Sequence, residues 1–460
     1  MSAPPAAPAP PAPRAAHPLL RRFDLAGRGT TVGREVRGGI ATFLTMAYIL
    51  VANPAILAAA GVPFAPAVAA TAAAAALCSV LMGLGANFPL ALAPGMGLNA
   101  ILAFQVAPAA GGWGPAMGIV VLDGLVVLAL VLLGLREAVM EAIPRDLRRA
   151  IGVGIGLFIA FVGAVNAKLV VVPTGTVAGI VENPGATLPP VAYGSLHAPE
   201  AWVAAAGLLV TVFLVARRTT GAILLGIVAA TLLGFVAGIA HLPSGAWVGL
   251  PRFDTVGRAD VGAALRLGVL PLLIPVIMVD FFDTIGTVTG IAEEAGLDRD
   301  HAGGGIPHLK RILAIDALSA SLGGLFGVSS ATSYVESAAG VAEGARTGLS
   351  AVVAGLCFGL AILAAPLAAV VPPSATAPAL IVVGFLMFQQ VTRIDFQALD
   401  TAIPSFVLLA TIPFTYSISH GIGYGFITYV GIQVCSGRAR AVHPVMYATA
   451  AAFAGYFWWA

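Results

Sequence analysis

Long apolar segments separated by short polar ones follow one another along the whole chain after its first 33 residues. A membrane-spanning helix needs roughly 20 mostly apolar residues, and this pattern predicts about fourteen such segments, some of them short. Seven precede residue 245 and seven follow it. The predicted spans are residues 38–61, 66–86, 88–107, 114–135, 149–170, 201–216, 221–240, 267–290, 311–326, 328–341, 348–371, 375–391, 401–418 and 421–435.

The composition identifies the solvent that surrounds these segments. Of the 460 residues, 59% are hydrophobic and only 10% are charged, whereas a soluble domain carries about 25% charged residues. The net charge of +2 is too small to indicate nucleic-acid binding. Cys78, Cys357 and Cys435 show no CxxC spacing, so they favour neither a disulfide framework nor a zinc site. The chain is therefore predicted to be an all-α polytopic membrane protein.

The basic residues predict how the chain is oriented. With the N-terminus inside and fourteen alternating spans, 19 of the 23 Lys and Arg residues fall in inside segments and 4 fall outside. Cytoplasmic loops are enriched in Lys and Arg, so the N-terminus is predicted to be cytoplasmic and the protein to lie in the cytoplasmic (inner) membrane. Residues 1–33, which begin as a Pro/Ala-rich stretch, are predicted to form a disordered cytoplasmic tail.

Two of the predicted spans are interrupted by polar or helix-breaking residues. They read "NFPLALAPGMGLNA" (87–100) and "GVSSATSYVESAAG" (327–340), and each is the third span of its half. Short, interrupted segments at matching places in two halves indicate the binding site of a transporter. Irregular backbone at membrane depth is tolerated only where protein or a polar cavity satisfies it. The split predicts two seven-span repeats of opposite orientation with a site between their third spans.

Carboxylates inside the spans are candidate functional groups, because each is costly in hydrocarbon. The five are Asp123, Asp280, Asp283, Asp316 and Glu336. Asp280 and Asp283 are three residues apart and therefore share a helix face, which Thr284 extends. We expect Asp123 and Asp316 to bridge helices, and the other three acids to line a cavity.

Two half-helices are expected to begin at the interruptions. Pro94 and Gly95 are suited to starting one of them, with Asn99 about one turn further on, and Glu336 falls in the first turn of the other. Free N–H groups and the positive end of the helix dipole gather at such starts. Two facing N-termini would offer backbone groups to a flat polar ligand, and the carboxylates would accept its N–H groups.

A resemblance to a known family rests on several of these stretches. In "ALAPGMGLNA", "DFFDTIGTVTGIAEEAGL" and "SSATSYVESAAGVAEGARTGLSAVVAGL" the sequence resembles the adenine/guanine/hypoxanthine (AzgA-like) branch of the nucleobase–cation symporters, which are related to xanthine and uracil permeases. "TFLTMAYILVANPAIL" and "PFTYSISHGIGYGFITYV" fit the same branch. Motif order and spacing are kept over residues 34–457.

The resemblance implies a fold and a mechanism. Spans one to four and eight to eleven would form a core domain (residues 34–135 and 246–371). The other spans and the C-terminal tail would form a gate domain (residues 136–245 and 372–460). Spans three and ten would contain short strands, with the base bound between them against span eight. The implied protein is a homodimer that imports hypoxanthine, guanine or adenine by proton symport through an elevator motion, without enzymatic activity or a cofactor.

The resemblance also assigns residues. Asp280 and Glu336 match the acids that bind the base, Asn99 matches an important polar position, and Tyr334 and Val335 match positions where relatives use backbone groups. The predicted substrate-binding set is Gly95, Asn99, Asp280, Thr284, Tyr334, Val335 and Glu336, and the predicted proton-coupling set is Asp280, Asp283 and Glu336. Uracil-type relatives carry a histidine where this chain has Thr284, so coupling is assigned to a carboxylate.

Three alternatives remain open at this level. The cargo could be xanthine, urate or uracil, although the "SYVESAAG" motif favours the adenine/guanine/hypoxanthine type. An anion transporter of the same fold, as in sulfate permeases, should keep a cationic or neutral site, and the acids argue against it. A membrane enzyme would need a nucleophile–base or metal constellation, and the sequence carries no such motif in a usable context.

Overall fold

The computed structural model describes residues 22–134, 143–171, 191–242, 252–266, 272–297, 306–368 and 370–459. Helices dominate both halves of the chain. The elements of the first half are α1 Val32–Met46, α2 Ile49–Leu57, α3 Phe64–Ala86, β1 Leu92–Pro94, α4 Met96–Ile101, α5 Ala107–Ala110, α6 Trp113–Leu132, α7 Arg145–Asn166, β2 Val170–Val171, β3 Ala192–Tyr193, α8 Pro199–Ala216 and α9 Ala222–Val236. A π-helical turn, Leu102–Val106, connects α4 to α5.

The second half repeats this order of long helices around one short strand. Its elements are α10 Val261–Ala264, α11 Leu273–Ala295, α12 Leu309–Phe326, β4 Ala331–Ser333, α13 Ser337–Ala342, α14 Gly348–Ala361, α15 Ala365–Ala368, α16 Pro373–Phe388, α17 Leu399–Thr415, α18 Ile418–Cys435 and α19 Pro444–Trp459. Each of the fourteen predicted spans contains one of these helices. Within the described residues, eight helical stretches are long and apolar enough to cross a membrane, and shorter apolar helices accompany them. The all-α polytopic class is confirmed.

Close approach of helices is made possible by glycine at two places. A Cβ added to Gly83 of α3 would lie 2.3 Å from the carbonyl oxygen of Gly348, at the start of α14. A Cβ added to Gly384 of α16 would lie 2.4 Å from the carbonyl oxygen of Gly156 in α7. Small residues let membrane helices pack backbone against backbone. These two contacts therefore fix α3 against α14 and α7 against α16.

The first span begins six residues earlier than hydropathy predicted, and the reason is a buried acid. Glu35 lies in the first turn of α1 and is fully buried. Its Oε1 accepts the N–H groups of Arg346 (2.7 Å) and Thr347 (3.2 Å), and its Oε2 accepts that of Ser350 (3.1 Å). The carboxylate thus satisfies N–H groups at the start of α14 that no helical carbonyl reaches. A hydropathy pattern places charged residues outside the spans. Here the charged Glu35 lies inside the first span and connects it to α14 by hydrogen bonds.

We expect Glu35→Ala to lower the stability of the fold measurably. The substitution leaves three backbone donors without their acceptor, and one buried unsatisfied donor costs roughly 1–3 kcal/mol. Thermal unfolding of the detergent-purified protein should show a clear decrease in Tm. Glu343→Ala removes an exposed acid from the same region and should leave Tm unchanged. Equal Tm values for the two variants would contradict this role of Glu35.

Candidate functional site

The two interrupted spans meet as a pair of strands. β1 and β4 run antiparallel, with Leu92 opposite Ser333 and Pro94 opposite Ala331. The pairing continues past both ends, because Tyr334 N–H donates to Ala91 O (3.1 Å) and Gly95 N–H donates to Ser330 O (2.9 Å). Backbone groups that no helix satisfies are therefore paired inside the protein, as membrane depth requires. The predicted strands in spans three and ten are confirmed.

Each strand leads directly into a short helix. α4 begins one residue after Gly95, and α13 begins at Ser337, immediately after Glu336. Because the strands are antiparallel, the two helices start at opposite ends of the pair. A Cβ on Gly95 would lie 2.6 Å from Thr332 Cγ2, so this glycine permits close packing of the two strands. The ligand contact predicted for Gly95 stays a prediction beside this packing role.

A buried network of hydroxyl and carboxylate groups supports the strands. Thr284 Oγ1 of α11 lies 2.5 Å from Asp316 Oδ2, 3.1 Å from Thr332 Oγ1 and 3.0 Å from the carbonyl oxygen of Asp280. The single hydroxyl proton is best given to the carboxylate, since charge-assisted bonds are the strongest. Ser333 Oγ donates to Asp316 Oδ1 (2.7 Å). Asp316 thus connects α12 with α11 and β4, the bridging role expected of it.

Asp280 belongs to the same support. Its side chain is fully buried, and Ser330 Oγ donates to its Oδ1 at 3.1 Å. The buried Thr284, one turn further along α11, already contacts three oxygen atoms. Neither side chain is accessible to a ligand in this structure. The loop leading into β4 and the strand itself cover both side chains, and the direct substrate contacts predicted for Asp280 and Thr284 stay predictions.

The accessible acids are Asp283 and Glu336. Asp283 lies near the middle of α11, yet its side chain is exposed and close enough to Glu336 for their charges to interact. The half-buried Glu336 accepts a hydrogen bond at Oε1 from Tyr48 Oη (2.8 Å). Within the described residues neither acid forms an ion pair. The two carboxylates lie within electrostatic range of each other, and the phenol of Tyr48 is hydrogen-bonded to Glu336.

Tyr48 was not among the predicted site residues. It lies in the two-residue gap between α1 and α2 and is 1% exposed. Thr45 Oγ1, one turn before it, lies 3.3 Å from the carbonyl oxygen of Glu336. A phenol inside an otherwise apolar segment was the available signal, since a buried tyrosine hydroxyl usually needs a partner. The first span therefore positions the acid carried by the tenth.

The remaining predicted residues differ in their surroundings. Tyr334 is buried, and its hydroxyl donates to Pro94 O at 2.5 Å. Its N–H is used in strand pairing and its carbonyl oxygen accepts the N–H of Ser337 (3.1 Å), so the predicted backbone contact would use the second lone pair of that oxygen. The side chain of Val335 is 63% exposed. Asn99 is fully buried, and its amide nitrogen and oxygen have no hydrogen-bond partner among the described residues. Buried amides are normally paired, so Asn99 is suited to a polar ligand or water.

Chemically, the arrangement suits an uncharged polar ligand with several N–H groups. The two carboxylates, Asp283 and Glu336, can accept hydrogen bonds or carry a proton, and the Val335 side chain offers an apolar surface beside them. Taking the acids out of water is costly unless something compensates their charge. A proton shared with the ligand's donors would supply that compensation.

We expect Thr284→Val to destabilise the strand pair. The change keeps the shape of the side chain but removes the donor to Asp316 Oδ2, while Ser333 still donates to Oδ1, at a cost of roughly 1–3 kcal/mol. Hydrogen exchange at Ala331–Ser333 should become faster, and Tm should decrease. Thr289→Val alters an exposed threonine of the same helix and serves as the control. Unchanged exchange in Thr284→Val would exclude the proposed support.

The chain was compared with known proteins. The model of the Permease family (Xan_ur_permease) matches residues 33–423. The chain is 40% identical to the putative permease MJ0326 of Methanocaldococcus jannaschii, over 94% of this chain and 96% of that protein. It is 37% identical to the guanine/hypoxanthine permease PbuO of Bacillus subtilis (92% and 96%). It is 38% identical to the adenine permease AdeP of Escherichia coli (95% and 95%).

Solved structures show the same fold at low identity. The transmembrane domain of the cyanobacterial bicarbonate transporter BicA superposes with a TM-score of 0.60 at 18% identity, covering 87% of this chain and 97% of that one. SLC26A9 superposes with a TM-score of 0.64 at 13% identity, covering 91% of this chain and 67% of that one. At these identities the likeness concerns the fold alone.

Proposed function

The chain belongs to the Permease family matched above and is a multi-pass membrane transporter rather than an enzyme. We propose that it imports the purine nucleobases hypoxanthine, guanine and adenine by proton symport. Relatives with closely similar sequences are named as guanine/hypoxanthine and adenine permeases. The observation that carries the proposal is the pair of accessible carboxylates, Asp283 and Glu336, beside the paired strands.

The chemistry of a purine fits this pair. Hypoxanthine and guanine present ring N–H groups next to a carbonyl oxygen, and adenine presents an exocyclic amine next to ring nitrogens. Ionised carboxylates accept such N–H groups in strong charge-assisted bonds, and a protonated carboxyl group can donate as well as accept. Tyr48 fixes the orientation of Glu336, Val335 contacts the ring, and the unpaired amide of Asn99 supplies further donors and acceptors after a small rearrangement.

The proposed roles of the three acids follow from their accessibility. Asp283 and Glu336 bind the base, and Asp280 holds the strand that carries the site. Two carboxylates within electrostatic range of each other at membrane depth are costly when both are ionised. Taking up one proton relieves that cost and adds a donor for the base. Base and proton would then each raise the affinity for the other, which is the basis of symport.

The test is uptake of labelled purines in cells that lack their own permeases. We expect Glu336→Gln and Asp283→Asn to raise the apparent KM roughly 10–100-fold, since a hydrogen bond to a charged group contributes about 1.5–3 kcal/mol. Tyr48→Phe should raise it about tenfold. A protonophore should abolish wild-type uptake. Asp280→Asn should mainly reduce the amount of folded protein, and the protein that does fold should bind the base with nearly the wild-type affinity.

Glu343→Gln, which changes an exposed acid outside the site, is the control and should transport like the wild type. Competition with unlabelled xanthine, uracil and sulfate tests the other cargoes. Uptake of xanthine or uracil alone would move the protein to a neighbouring branch of the family. Uptake of a purine that is indifferent to Glu336→Gln and Asp283→Asn would reject this site, and uptake driven by sodium would reject the proton.

We also propose that transport uses the elevator motion implied by the family resemblance. The core would comprise residues 34–135 and 246–371, and the gate residues 136–245 and 372–460. Among the described residues, one pair of side chains joins these two groups by hydrogen bonds. Gln105 Oε1 accepts hydrogen bonds from Ser419 N (3.1 Å) and Ser419 Oγ (2.6 Å). Beside it, the rings of Phe104 and Tyr416 meet edge to face at 5.5 Å. A sliding core would have to break this contact in each cycle.

A reversible cross-link tests that motion. In a variant whose three cysteines are replaced by alanine, Gln105→Cys and Ser419→Cys should be joined by a short bis-methanethiosulfonate reagent. Purine uptake should then stop, and a reductant should restore it. Asp400→Cys with Gln433→Cys is the matched control, because both residues lie in the proposed gate and their side chains are hydrogen-bonded at 3.2 Å. Unaffected uptake with 105 and 419 cross-linked would rule out movement at this contact.

The cytoplasmic N-terminus, the location in the cytoplasmic membrane and the homodimer belong to the same proposal. The orientation is supported by the distribution of basic residues, 19 of 23 on the predicted inner side. Accessibility of an N-terminal tag in spheroplasts and in inverted vesicles would check the orientation. Cross-linking in the membrane would check the dimer.

A further inference from the structure

A large apolar groove lies away from the carboxylate site. Its volume is about 610 Å³, and it lies between α1–α2, α3, α9 and residues 361–371. Phe43 and Leu50 line one wall, Leu224 and Phe235 line the wall formed by α9, and Val371 closes one side. None of the residues of the carboxylate site contributes to it. The groove therefore needs an occupant of its own.

The walls exclude a polar occupant. Among the described lining residues only Thr231 has a polar side chain, and its Oγ1 donates to Ile227 O within α9 at 2.8 Å. Its hydrogen bond is already made, so the groove offers no donor or acceptor that water or a nucleobase would satisfy. Ordered water needs two to four polar partners. An empty groove of this size would also forfeit the dispersion contacts of its walls.

The groove opens on the outer surface of the helices. Its rim includes Val228, Leu232 and Leu242, which are 48%, 61% and 62% exposed. α1 and α9 come together at one end, where a Cβ on Gly221 would lie 3.2 Å from Leu44 O. Beyond that contact the groove follows most of α9 and the middle of the first span. Both helices are apolar enough for a membrane, so the groove is expected to open toward the hydrocarbon of the bilayer.

From this placement we infer that the groove is a binding site for an acyl chain of a membrane phospholipid, held between the first and seventh spans. The wall chemistry, the lateral opening and the membrane depth all match a hydrocarbon chain. The acyl chain fills the space between the first and seventh spans and contacts side chains of both, where the two spans do not pack against each other. This inference stands apart from the proposed purine transport, because it uses no residue of that site.

Native mass spectrometry of the detergent-purified protein tests the inference. The wild type should retain a bound phospholipid after detergent exchange. Thr231→Trp and Ala364→Trp fill the groove from two different walls and should each lose that lipid. Leu209→Trp alters a position on α8 that is 73% exposed and does not line the groove, so it should retain the lipid. No lipid on the wild type, or equal retention by all four proteins, would overturn the proposal.

A second measurement covers variants that fail to fold. A phospholipid with a diazirine on its acyl chain, added to wild-type proteoliposomes and activated by light, should label residues 224–235 and 361–371. Labelling confined to the exposed face of α8 would overturn the proposal. The tryptophan variants give a second such outcome: if they change from dimer to monomer without losing lipid, the occupant of the groove would be a second copy of the chain, and the proposal would fail. Lipid loss and purine uptake are separate readouts, so each proposal can fail alone.

Discussion

The pairing of β1 with β4 is the constraint on which the site depends. In hydrocarbon every backbone N–H and C=O needs a partner inside the protein. A chain that leaves its helix at membrane depth must therefore find one elsewhere. Residues 91–95 and 330–334 satisfy each other across the two halves of the molecule. Because of this pairing α4 and α13 begin inside the protein, so that Glu336 is held beside α11, and neither half can form the site alone.

The pairing also divides the buried acids into two groups with different tasks. Asp280 and Asp316 lie behind the strands and accept hydrogen bonds from hydroxyl groups there. A hydrogen-bonded buried charge costs far less than an isolated one, so these acids can serve as support. Asp283 is three residues after Asp280, about 300° further along the helix and therefore about 60° from it around the axis, and its side chain is exposed and within electrostatic range of Glu336. The different angular positions of Asp280 and Asp283 on α11 thus give the first a supporting role and make the second a candidate for ligand binding.

The sequence carried much of this arrangement but not all of it. Among the described residues, hydropathy identified the segments whose helices are long and apolar enough to span a membrane. The Gly/Pro- and Ser/Thr-rich interruptions located β1 and β4. Hydropathy could not place Glu35 inside a helix, because the N–H groups that compensate its charge come from residues 346–350. The assignment of Asp280 to base binding and of Asp283 to proton coupling came from the family resemblance. The sequence alone does not reveal which face of α11 packs against β4, because tertiary packing determines it. Tyr48 was missed for the same reason, since its partner is 288 residues away.

The contacts within and between the two proposed domains differ in kind, and the difference is what a sliding mechanism requires. Within each domain, backbones touch through glycine, as Gly83 does with Gly348 in the core and Gly156 with Gly384 in the gate. Such contacts have no slack, since an added methyl group would already collide. Between the domains the approach of Gly221 to Leu44 O is looser, at 3.2 Å from the added Cβ, and other contacts are edge-to-face rings, a hydrogen-bonded glutamine and a groove suited to a fluid hydrocarbon chain. These contacts can be broken and remade at small cost, because rings and acyl chains meet equivalent apolar surface after a displacement. Rigid packing inside each proposed domain and replaceable contacts between the two domains would let β1 and β4 move together without changing the geometry of the acids beside them.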